Sequence, residues 1–93
     1  MPSISGQKTI TTAGTAEPLG SQVINGPLMI KALLANTNNA YIGNDGSGDV
    51  TSGDGLELDA GEAVVFEFVA DLANIIVDVD TDGEGVSWLA LNV

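Results

Sequence analysis

The sequence contains no cysteine, no histidine and no arginine, and its only basic side chains are Lys8 and Lys31. Without imidazole or thiolate, neither a Ser–His nor a Cys–His nucleophile pair can be assembled. Zinc and copper sites built on those ligands are excluded on the same ground. With two cations in 93 residues and a formal net charge of −11, the chain has little with which to neutralise phosphates. Neither nucleic acid nor an anionic membrane is therefore an expected partner. Aromatic residues are scarce too, at one Trp, one Tyr and two Phe. Two of the thirteen acidic residues could in principle form a glycosidase pair. That chemistry belongs to larger scaffolds with aromatic platforms, so no enzymatic activity and no cofactor are expected.

Long apolar runs are also missing. The longest, from Pro27 to Ala35, is interrupted by Lys31 and is too short to cross a bilayer. Met1 to Thr12 lacks the apolar stretch of a secretory leader, so a chain that is soluble when made is expected.

What is present is aliphatic. Hydrophobic residues make up 44% of the chain, so the core must be built mainly from Val, Ile, Leu and Ala. The length fits one domain spanning residues 1–93. Such a domain, without disulfides, often gains stability from a partner or from copies of itself.

Short strand signals recur between clusters of Gly, Asn and Asp, which predicts an all-β fold. Strands are expected over Gln7–Ala13, near Glu17–Leu19, near Gln22–Ile24, within Pro27–Asn36, and at Ala40–Gly43. The stretch NDGSGDVTSGDG, residues 44–55, reads as a loop. Leu56 and Leu58 then alternate with acids. Val64, Phe66 and Phe68 share one face, and Ile75, Val77 and Val79 another, with Ile76, Asp78 and Asp80 opposite. Val86–Val93 forms the last strand. The expectation is an antiparallel, jelly-roll-like β-sandwich of about seven to nine short strands with no significant helix.

Three features are candidates for function. Asp78-Val-Asp80-Thr-Asp82-Gly83 matches the opening of a calcium loop, with alternate carboxylates followed by Gly. Its twelfth position is Leu89 rather than the bidentate Glu, so an EF-hand is rejected. Asp78, Asp80 and Asp82 remain calcium candidates, set against the alternative of a solvated acidic hairpin. Asp45-Gly-Ser-Gly-Asp49 is a weaker echo. Trp88 is either a core cap or an exposed sugar platform, and its apolar neighbours favour the core. Finally, Met29, Leu33 and Ile76 lie opposite their strands' other apolar residues, which marks them as interface candidates.

Four segments, ITTAGTAEPLGS, NTNNAYIGNDG, LELDAGEAVVFE and DLANIIVDVDTDGEGVSWLAL, together resemble small β-sandwich virion proteins of tailed bacteriophages. The likeness runs roughly from Thr9 to Leu91 and rests on turn motifs rather than catalytic signatures. It implies a capsid decoration or cement protein made in the host cytoplasm and bound to the outer capsid surface of the virion. The implied partners are the major capsid protein and further copies of the chain, with a trimer favoured. A head fibre or tail component is also compatible with the resemblance. A calcium- or carbohydrate-binding adhesion module is the competing reading.

Overall fold

The computed structural model describes residues 3–43, 50 and 55–91. They form an antiparallel β-sandwich of two four-stranded sheets. The strands are β1 (Ile4–Thr9), β2 (Glu17–Pro18), β3 (Leu28–Ala32), β4 (Ala40–Gly43), β5 (Leu56–Leu58), β6 (Ala63–Phe66), β7 (Ile76–Val79) and β8 (Gly85–Ala90). The one helical element among the described residues is a single 3₁₀ turn, Leu72–Asn74, which Asp71 caps by accepting the Ala73 N–H at 2.9 Å.

One sheet has the order β1-β8-β3-β6 and the other β2-β7-β4-β5. Strands pair symmetrically about the middle of the chain: β4 with β5, β3 with β6, β2 with β7 and β1 with β8. Two further pairings, β3–β8 and β4–β7, close that ribbon into two layers. Only the β4–β5 connection stays within a sheet; every other connection crosses from one layer to the other.

The period-two pattern sets which side chains enter the interlayer space. Along β3, Leu28, Ile30 and Ala32 are buried, and Met29 and Lys31 point outward. They meet Val86 and Ala90 of β8 in the same layer and Ala40, Ile42, Leu58, Val77 and Val79 of the facing sheet. Each fully buried Val, Ile or Leu stabilises the fold by about 1.5–3 kcal/mol. Trp88 is half-buried against this core, as its neighbours suggested. It leans over Gly6 of β1, where a Cβ would come within 3.0 Å of Trp88 Cζ2.

Three expected elements differ. The first strand is Ile4–Thr9 rather than Gln7–Ala13, because after the buried Ile10 the chain turns away to cross to the other sheet. Gln22–Ile24 reduces to one bridge, Val23 with Asp71. Phe68 is 64% exposed, since β6 ends at Phe66 and the alternation ends with it.

The start of β8 is tightly built. A Cβ on Gly85 would collide with the Lys8 carbonyl and lie 2.7 Å from Thr9 Cα, so only glycine lets β1 and β8 approach. The buried Asn36 continues the sheet where β3 leaves it. Its amide donates to the Gly85 carbonyl at 2.9 Å and accepts the Gly85 N–H at 3.2 Å. Just before, Gly83 sits at φ +83° in the turn closed by Glu84 N–H to Thr81 carbonyl at 3.2 Å.

Candidate functional site

The acidic hairpin between β7 and β8 is the first region to weigh. Asp78 alternates with Val77 and Val79 and so points away from the main core. It is nevertheless only 2% exposed. The cause is the β1–β2 connection, whose Gly14 N–H donates to Asp78 Oδ1 at 3.0 Å; the same oxygen accepts the Val79 N–H at 2.8 Å. One residue earlier, the Ala13 N–H donates to Asp82 Oδ1 at 2.7 Å. Backbone groups in a loop of small residues lack ladder partners and must be satisfied by something. Here two aspartates do it.

Asp80 has a different partner, accepting the Tyr41 hydroxyl at 2.7 Å. That hydrogen bond, reinforced by burial and by the charges of Asp80 and Glu57, pushes the Tyr41 pKa up to about 12. The three carboxylates thus have three different partners. Among the described residues no group of three acidic side chains is gathered to hold a metal ion. Asp78 and Asp82 staple the crossing loop, and Asp80 orients a tyrosine. The echo at Asp45–Asp49 lies outside the described residues.

Glu84, next to the turn, acts in the same way on the other flank. Its carboxylate accepts the Thr37 N–H at 2.7 Å, the Thr37 hydroxyl at 2.8 Å and the Asn38 N–H at 3.2 Å. These bonds, the Thr37 backbone first, hold its carboxyl below the ordinary glutamate value.

The interface candidates separate. Met29 is 41% exposed on the outer face of the β1-β8-β3-β6 sheet. Leu33 lies just past β3 and is half-buried. Ile76 is buried, which corrects the expectation that it is free for a partner. Tyr41, Val50 and part of Ala16 form a small second cluster over it, so the chain covers that side of β7 itself.

The exposed surplus lies elsewhere. In the register of the sheet, Met29 stands beside Leu89 of β8 on one side and Val65 of β6 on the other, with Ser5 of β1 completing the row. Leu89 is 43% and Val65 61% exposed. Leu91 extends the apolar strip beyond β8. Leu89 and Val65 were absent from the sequence candidates. Their signal was available: each is an apolar residue in the outward phase of a strand whose inward phase is already apolar.

Charge accentuates this face. None of the thirteen acidic residues lies within β1, β3, β6 or β8, whereas both lysines do. Lys8 pairs with Glu17 of the opposite sheet at 3.0 Å. Lys31 points outward one row from Met29, between Ser87 and Ala63, and forms no ion pair among the described residues. The nearest acids in sequence to this face are Glu62 and Glu67, at the two ends of β6, and Glu84, just before β8.

Comparison with protein-family models, with curated proteins and with solved structures finds no match to this chain. No helix among the described residues is long and apolar enough to cross a membrane.

Proposed function

We propose that this chain is a non-enzymatic structural protein of a tailed-phage virion, a decoration or cement protein that binds the major capsid protein on the outer capsid surface and stabilises the shell. The observation that carries the reading is the outer face of the β1-β8-β3-β6 sheet, an apolar row free of carboxylates on an otherwise strongly anionic body. Such a face is costly to expose to water and is suited to lying against another protein. The strand order 1-8-3-6 over 2-7-4-5 is compatible with the same reading, since eight antiparallel strands in two sheets are an architecture that viral capsid domains use. The likeness of the turn motifs to phage virion proteins points the same way.

Size constrains how such a protein works. Six residues at about 3.3 Å and four strands at about 4.8 Å give a face on the order of 400 Å². That is about half of what one partner contributes to a standard stable interface, roughly 800 Å². A single copy therefore binds weakly, and retention depends on several linked copies engaging a repeating lattice. A homo-oligomer, with a trimer favoured, supplies that valency. The adhesion-module reading has less support, because Trp88 leans into the sandwich and the Asp78–Asp82 carboxylates are engaged internally.

The test is co-sedimentation of the purified chain with shells of its virus prepared without it, alongside the shells' melting temperature. Saturable binding and a raised shell melting temperature are expected. Shells that neither retain the chain at excess nor change in stability refute the proposal.

A further inference from the structure

The face described above also indicates the chemistry of the surface it meets. We infer that the Leu89–Met29–Val65 row docks against a different protein, one that presents an apolar patch flanked by a carboxylate that receives Lys31, and not against a second copy of this chain. The identity of that partner as the shell rests on the function proposed above; the chemistry rests on the charge distribution alone.

Consider a second copy first. Packing two such faces together would match apolar row to apolar row, which is favourable for Leu89, Met29 and Val65. It would also bring two Lys31 ammonium groups into one interface whose strands contain no carboxylate. Desolvating a cation without a partner is strongly unfavourable, which offsets a large part of the gain from so small a face. The chain has thirteen carboxylates and places none within these strands, so self-pairing leaves Lys31 unanswered there.

A foreign surface removes the difficulty. One carboxylate opposite Lys31 would satisfy the ammonium group, and the neighbouring Ser87 and Gln7 could meet polar groups at the rim of the row. The charge pattern also governs encounter. With no acid within its strands, the β1-β8-β3-β6 face repels a second anionic body less than an acid-bearing strand would. Copies of the chain that associate with one another must then do so through other surfaces, leaving this face available.

The variants Met29→Asp, Lys31→Glu and Lys31→Met test the inference, with Glu57→Gln on the opposite sheet as control. All three side chains, Met29, Lys31 and Glu57, are exposed, and thermal melts within a few degrees of the parent establish that each variant is folded. Two readouts are taken: solution mass by light scattering, and affinity for the shells. Met29→Asp and Lys31→Glu are expected to weaken shell binding roughly tenfold or more and leave the mass unchanged, with Glu57→Gln within about twofold of the parent. Lys31→Met is the sharper case. It keeps the aliphatic stem, so a purely apolar contact would strengthen, whereas a lysine–carboxylate contact weakens. A mass that falls in Met29→Asp makes the face a self-contact and overturns the inference. Parent binding that survives both Met29→Asp and Lys31→Glu, or that tightens in Lys31→Met, overturns it while sparing the shell-binding function. A parent chain that does not bind shells at all overturns the function and, with it, the named partner.

Discussion

Asp78 offers the most direct discrimination between a loop anchor and a cation ligand. Its Oδ1 accepts the Gly14 N–H at 3.0 Å and the Val79 N–H at 2.8 Å, and the side chain is 2% exposed. Hydrogen bonds to a charged acceptor contribute about 1.5–3 kcal/mol each. The Gly14 bond spans 64 residues and counts fully; the one to Val79, its immediate neighbour, counts for less. Asp78→Ala should therefore cost about 2–4 kcal/mol. At about 4–8 °C per kcal/mol for a domain of this size, the melting temperature falls by roughly 8–32 °C. Asp78→Asn keeps an acceptor oxygen in place and should cost only about 1 kcal/mol. Circular-dichroism melts and urea titrations measure both, and an unchanged urea slope shows that the same cooperative unit unfolds. Calcium provides the other arm. A cation site filled at a hundredfold excess over its dissociation constant would stabilise the parent by about 2.7 kcal/mol. The expected result is no shift with millimolar calcium and none with chelator. The reasoning fails if Asp78→Ala melts within about 0.5 kcal/mol of the parent, or if calcium raises the parent's melting temperature by several degrees and Asp78→Ala abolishes that rise.

Three further outcomes are expected. Gly85→Ala forces a methyl into the Lys8 backbone and should destabilise by about 3 kcal/mol or more, at the upper end for overpacking; a melt within two degrees of the parent would contradict the close β1–β8 approach. On the acid side, the depressed Glu84 carboxyl contributes stability that is fully present above its ordinary pKa of about 4.5 and is lost as pH falls through its lower folded value. On the alkaline side, the raised Tyr41 hydroxyl contributes stability that is present below pH 10.0 and is lost as pH rises toward about 12. Melts across pH for Glu84→Gln and Tyr41→Phe check each limb separately. Each variant should flatten its own limb and leave the other unchanged.

Much of the fold was legible because strand burial is written in the sequence with a period of two. Leu28, Ile30 and Ala32, or Val77 and Val79, mark their inward face without reference to any other residue. Ala40–Gly43 could be delimited because turn-forming residues bound it on both sides. The ends of β1 and β6 were less legible, since a strand stops where its partner stops, and the partner is remote in sequence. Thr11–Ala16 has strand-like composition but no neighbour to pair with once β8 has turned at Gly83.

The amino-acid sequence alone determined the all-β class, the aliphatic core, and the absence of imidazole and thiol chemistry, because these follow from composition and local alternation. Tertiary structure alone decided what the outward residues do. Ile76 and Met29 carry the same sequence signal, yet Tyr41, Val50 and Ala16 cover Ile76 while Met29 stays on the surface. Asp78, Asp80 and Asp82 have calcium-loop spacing, yet distant donors, Gly14, Tyr41 and Ala13, claim them one by one. Leu89, Met29 and Val65 come from three strands far apart in the chain, and only the register of β8, β3 and β6 sets them side by side. Which residues share a surface depends on contacts between remote segments, and local periodicity carries no information about those.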